Sequence, residues 1–156
     1  MINLEQRHSK WMSFAFSQAQ KAYDSNEVPV GAVVVYNDKI IGRGHNQKEQ
    51  LNDPTAHAEI IAITAATNTI NDWRLIDCEL YVTKEPCPMC AGAIINSRIR
   101  SVIFGCYDVI EGCCGSLYQL CGDPRFNHNV LVKGGIMEED CSNILKDFFK
   151  LRRLKK

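Results

Sequence analysis

His57-Ala58-Glu59 and, about thirty residues further on, Pro86-Cys87-Pro88-Met89-Cys90 decide how the rest of the 156-residue sequence is read. Cysteines at i and i+3 in the first turn of a helix point the same way, and the free amides and dipole of a helix start favour thiolates. His57 offers a neutral imidazole as third ligand, which leaves a fourth tetrahedral position for water: the pattern of a catalytic zinc site, one ion per chain. Glu59, presented from the same helix start as His57, is aimed at that water rather than at the metal, as a general base. Taken alone, Cys87-x-x-Cys90 also suits a redox pair, or half of a closed structural site with Cys78 or Cys106 as further ligand. Jointly, the two motifs favour the open, catalytic site.

Working outward, each motif sits where an extended segment or loop gives way to a helix. Leu4, Trp11, Phe14, Ala15, Ala19 and Ala22 form one stripe at helical spacing, so residues 4–22 predict a helix covering a sheet. Val30 to Tyr36 and Lys39 to His45 read as two strands across the turn Asn37-Asp38, a hairpin. Polar residues 46–54 read as a loop, with Asp53 or Thr55 capping a helix from Ala56 to Thr67. Glu79 to Thr83 predicts a third strand, Cys87 to Ser97 a helix, Ser101 to Gly105 a fourth strand, Leu117 to Cys121 a short helical piece and Val130 to Lys133 a fifth strand. A last helix runs from about Glu138. The long connection between the fourth and fifth strands predicts that they are parallel. The order implies an α/β fold: a three-layer α/β/α sandwich on a mixed five-stranded sheet, in one domain spanning 1–156.

Apolar residues make up 46% of the chain and charged residues 23%, with a formal net charge of zero. That balance excludes a strong general attraction to polyanions, so any nucleic-acid binding must come from a local patch. Uncharged apolar runs such as Val28 to Val35 and Ala91 to Ser97 fall far short of the roughly 20 residues that span a bilayer. The first residues lack a basic segment followed by an apolar one, and a cytoplasmic location is expected. Reducing conditions then favour metal binding or free thiols over disulfides, and the remaining Cys78, Cys106, Cys113, Cys114, Cys121 and Cys141 read as small buried residues.

The motifs His57-Ala58-Glu59 and Pro86-Cys87-x-x-Cys90 resemble the signature of the zinc-dependent, cytidine-deaminase-like superfamily. With Pro29-Val30-Gly31-Ala32-Val33, Gly44-His45-Asn46, Asp53 to Ile60, Tyr81-Val82-Thr83, Glu85 to Ile94 and Phe148-Phe149, the resemblance narrows to the bacterial-type tRNA-specific adenosine deaminases. It runs almost the whole length. It implies a homodimer that converts the wobble adenosine of a tRNA anticodon stem-loop to inosine. By motif position it implies that His57, Cys87 and Cys90 hold zinc, that Glu59 shuttles protons, that Asn46 hydrogen-bonds the flipped base, and that backbone around Ala58 and Pro86 lines the pocket. Asp108 belongs to a loop that in this family approaches the substrate strand. The alternative within reach of similar motifs is a deaminase of a free base or nucleoside, of guanine or cytosine type.

RNA contact has its own candidates. Lys146, Lys150, Arg152, Arg153, Lys155 and Lys156 crowd the last helix beside Phe148 and Phe149: cations for phosphates and an aromatic for stacking, or else a solvated helix end with both phenylalanines in the core. Asn127 and His128 either contact RNA or form surface beside the fifth strand. The chain departs from the family pattern at Lys84, usually apolar, at Tyr107, commonly basic, and at Cys113-Cys114, usually small alanines. These departures leave the metal motif intact.

Overall fold

The computed structural model describes residues 1–155. α1 (Leu4–Asp24) opens with an Asn3 cap whose side chain accepts from the Gln6 amide while the Gln6 side chain accepts from the Asn3 amide. β1 (Gly31–Tyr36) and β2 (Lys39–His45) follow, then one helical turn, α2 (Lys48–Leu51), and α3 (Ala58–Ile70). The second half comprises β3 (Glu79–Lys84), α4 (Pro88–Asn96), β4 (Ser101–Cys106), β5 (Leu131–Lys133) and α5 (Glu138–Leu154). Lys156, counted above in the basic cluster, lies outside the described residues.

The sheet order is β2-β1-β3-β4-β5, with β1 antiparallel to both neighbours and β3, β4 and β5 parallel. The mixed five-stranded sheet is therefore as expected, including the parallel pairing of the last two strands. Asn37 and Asp38 both adopt positive φ, the backbone that lets a two-residue turn follow the strand twist. Alternation along the strands splits the core in two. Ala32, Val34, Leu80, Val82, Val102 and Phe104 pack under α3 and α4, whereas Val33, Val35, Tyr81 and Ile103 pack under Trp11, Met12 and Ala15 of α1 and Cys141 of α5. Three layers result. Gly44 matters here because a Cβ would collide with the Ala58 carbonyl, so the missing side chain lets the start of α3 lie directly on β2.

Several expectations shift. Neither Asp53 nor Thr55 caps α3: Asp53 turns back onto the Thr55 amide and hydroxyl at 2.8 Å each, and the cap position is His57 itself. The loop at 46–54 contains α2, because a buried carboxylate, Glu27, binds the amides of Glu49 and Gln50 at 3.0 and 2.7 Å. Residues 117–121 form turns and a bridge between Cys114 and Gln119 instead of a helical piece, since the segment is folded over by the Gly112–Leu117 and Cys113–Leu120 backbone bonds. β1 begins at Gly31 and β5 at Leu131, one residue later than expected in each case. All six cysteines outside the motif are buried and free, as small apolar residues are.

Candidate metal centre and substrate pocket

Two helix starts build the floor of one pocket. His57 is the N-cap of α3 and Cys87 the N-cap of α4, both with extended backbone, and neither side chain bonds the amides of its own helix. A serine or aspartate at these positions would turn inward to those amides. The imidazole and the thiol are instead free to face each other. Cys90, in the first turn of α4, is fully buried and completes the group.

The ligand atoms of His57, Cys87 and Cys90 all lie within 4.8 Å of one another, and they are the group of this kind found among the described residues. Nδ1 of His57 stands 3.6 Å from the Cys87 sulfur and 3.4 Å from the Cys90 sulfur. Ligands held tetrahedrally around zinc at about 2.3 Å for sulfur and about 2.0–2.1 Å for nitrogen stand about 3.5 Å apart. The donor set and its spacing therefore fit zinc. Neither Cys78 nor Cys106 joins the group, so the closed structural alternative has no fourth protein ligand among the described residues.

The electrostatics suit a deprotonated sulfur at Cys87. Cys87 is held down at about 4, by its hydrogen bond with Cys90 and then by His57, while the same bond and burial push Cys90 up. Bonding to Cys87 raises the His57 imidazole above its ordinary value. Glu59, second residue of α3, is 4% exposed, and burial pushes its carboxyl up. A carboxyl displaced upward toward neutrality is suited to taking and returning protons.

A cavity of about 200 Å³ opens above this floor, below the roughly 300–1,000 Å³ of a drug-sized site and suited to one flat heterocycle. Of the residues singled out from sequence, His57, Ala58, Glu59, Cys87, Asn46, Asp108 and Phe149 line it. Asn46 is fixed at both ends: its amide nitrogen donates to the Val28 carbonyl at 3.3 Å and its oxygen accepts from the Lys48 amide at 3.2 Å. Asp108 ion-pairs with Lys84 at 3.0 Å and accepts from the amides of Ile110 and Glu111. Burial works to raise its carboxyl, but Lys84 and the two amides outweigh it and hold the group below the usual range. Of the two phenylalanines on α5, Phe148 is buried and Phe149 is 45% exposed. The alternative that puts both in the core therefore fails for Phe149.

Other candidates stand apart. The Pro86 carbonyl turns away to accept from the Cys113 amide at 2.8 Å. Arg152 donates to the Asn26 carbonyl at 3.2 Å and lies over the Phe148 ring at 4.8 Å, one turn beyond the pocket wall. Arg153 is exposed. Asn127 is exposed in the loop before β5, whose next residue, His128, hydrogen-bonds the Ile99 carbonyl at the opposite end of β4 from the metal group. The sequence reading missed Lys48, Glu85 and Glu111 as lining residues and assigned Lys84 no place in the pocket. Only Glu85 carried a signal, its position directly before Pro86.

A three-layer fold with an open His/Cys/Cys centre and an adjacent buried glutamate defines a hydrolytic deaminase, and the comparisons agree. The family model described as MafB19-like deaminase matches residues 6–153, and the chain belongs to that family. The tRNA-specific adenosine deaminase of Bacillus subtilis (strain 168) is 46% identical over 94% of this chain and 91% of its own length. A solved structure from studies of A-to-I editing by tRNA:A34 deaminases at the wobble position of transfer RNA superposes with a TM-score of 0.84 at 39% identity, covering 87% of this chain and 99% of that one. Guanine deaminase from Bacillus subtilis is 37% identical, with a TM-score of 0.61, over 68% of this chain and 66% of its own.

Proposed function

We propose that this chain is a single zinc-dependent deaminase domain that hydrolyses the wobble adenosine of a tRNA anticodon loop to inosine. The observation that carries this reading is the metal-ready triad with Glu59 at its side, in a chain whose near-full-length relatives are tRNA-specific adenosine deaminases. His57, Cys87 and Cys90 hold the ion. Bound zinc supplies the Lewis acidity that makes water a competent nucleophile near neutral pH.

The chain's own groups do the rest. Asn46 and the backbone at Ala58 orient the extruded base, and the narrow cavity excludes bulk water. As water adds at C6, Glu59 takes its proton and delivers it to N1. The same carboxylate then passes the second proton to the departing amine. Adenosine and water thus become inosine and ammonia. An anticodon loop presents an unstacked base, so extrusion costs a few kcal/mol or less. The exposed face of Phe149 stacks on a neighbouring base, and Arg152, Arg153 and the lysines of α5 meet phosphates; Asn127 reaches RNA only if the strand passes along the far edge of the sheet.

We also propose a homodimer in the cytoplasm, where its substrate is. Val109 and Ile110 are 79% and 78% exposed, and Leu117 and Tyr118 further along the same connection are exposed too, apolar surface that a second copy would cover. Among the described residues, no helix is long and apolar enough to cross a membrane. The likeness to guanine deaminase supports a second reading, a free-base deaminase. Incubating the protein with an unmodified anticodon stem-loop and, separately, with free adenosine, cytidine and guanine distinguishes the two. Inosine in the RNA with one zinc per chain supports the proposal, whereas ammonia from guanine alone overturns it.

A further inference from the structure

Glu85 is 2% exposed, stands between β3 and the first metal ligand of α4, and makes no ion pair among the described residues. Its carboxylate is nonetheless saturated by one loop. One oxygen accepts from the Asp108 amide at 3.0 Å and the Ser116 hydroxyl; the other accepts from the Cys114 amide at 3.1 Å and the Ser116 amide at 2.9 Å. Gly112 completes the wrap, because a Cβ there would collide with the same carboxylate. A buried carboxylate with four donors and no cation is costly to leave half-satisfied, so the loop and the acid hold each other in one arrangement.

We propose that Glu85 is the positioning residue that fixes the 108–116 loop as the RNA-facing wall of the pocket. It ties Asp108 to the same turn that presents Cys87, so that one side chain sets the spacing between substrate contact and metal centre. This rests on the RNA reading above. Without the carboxylate, the amides of Asp108, Cys114 and Ser116 lose their acceptor, the loop moves, and Asp108 no longer meets the substrate strand at a fixed place. The metal ligands and Glu59, held by α3 and α4, stay where they are.

The test compares Glu85→Gln, Glu85→Ala and Ser116→Ala with the wild-type protein. Hydrogen exchange should show protection lost at the amides of Asp108, Cys114 and Ser116 while Val82 and Phe104 in the sheet stay protected. Zinc should remain at one per chain. On the anticodon stem-loop, KM should rise about tenfold or more for Glu85→Ala, within the roughly 100-fold that a misplaced contact costs, and less for Glu85→Gln and Ser116→Ala, with kcat falling less than KM rises. Exchange that rises everywhere alike, or at none of these amides, overturns the proposal, as does an unchanged KM with only a lower Tm. If the wild-type protein deaminates no RNA, the proposed function fails, and the exchange pattern by itself decides whether Glu85 holds the loop.

Discussion

The floor and the rim of the pocket are built on different principles. The floor consists of His57, Glu59, Cys87 and Cys90, four side chains within the first turns of two helices that the sheet's own core clamps in place. The rim consists of Asn46, Lys84, Asp108 and Phe149, contributed by separate segments and held by a few hydrogen bonds each at Asn46 and Asp108, one partly exposed ion pair and the end of α5. Floor positions follow from packing, whereas rim positions follow chiefly from polar bonds. The difference teaches where chemistry and where substrate choice reside, and single substitutions on either side can break it.

The largest effect belongs to the floor. Glu59→Ala should lower kcat by about 10²–10⁴-fold, the usual worth of a positioned acid-base group, while zinc content and folding are kept. Product analysis of the stem-loop and metal analysis of the purified variant check both parts. Retained activity would remove the proton shuttle and with it the division between floor and rim.

Next comes the most exposed of the rim contacts. Phe149→Ala deletes a face that stacks on a base, worth about 1–3 kcal/mol, or roughly 5- to 150-fold in KM for the stem-loop. Tm should barely move, since the ring is half in solvent and Phe148 retains its edge contact with Tyr23. A fall in kcat with KM unchanged would place Phe149 with the floor.

This ordering parallels what was legible in the sequence. The floor could be read because its residues are close in the chain, and two cysteines at i, i+3 have one geometric consequence wherever a helix begins. The sheet could be read because Val30 to Tyr36 and Ser101 to Gly105 are β-branched runs that only a covered sheet buries. The capping of α3 could not be read, because Asp53 had a nearer partner in Thr55 and the cap position went to a residue whose side chain was needed elsewhere. Nor could the rim. Glu27 and Glu85 organise segments 22 and up to 31 positions away through backbone amides, and an amide contact leaves no mark on the partner's residue type. Lys84 looked like a departure from its family until Asp108 appeared 3.0 Å away.

Lys84→Ala then sharpens the comparison from the weak side. A partly exposed ion pair is worth about 1 kcal/mol or less, so KM for the stem-loop should rise no more than about fivefold, with kcat and zinc unchanged. Steady-state kinetics of this variant beside Asp108→Ala checks it. A change above tenfold from Lys84 alone would make the rim as rigid as the floor.

The smallest effect comes from the opposite face of the sheet, where His8 on α1 sits 2.8 Å from the Tyr81 hydroxyl, which also accepts from Arg7. Burial holds His8 below its ordinary 6.5; Arg7 and Lys133 push the same way, while Glu79 and Glu5 pull against it. The sign follows from linkage. As pH falls through 6.5 the unfolded chain gains a proton that the folded imidazole refuses, so stability drops between 6.5 and the folded value and is unaffected above 6.5. His8→Gln should therefore flatten the decline of Tm between pH 7.5 and 5.5 by about 2 °C or less. Because the sheet separates this network from α3 and α4, the same substitution should leave the pH profile of kcat unchanged. If the profile moved with His8, protonation on one face would be reaching the metal floor through Tyr81 and β3, and the floor would no longer be the insulated part of the site.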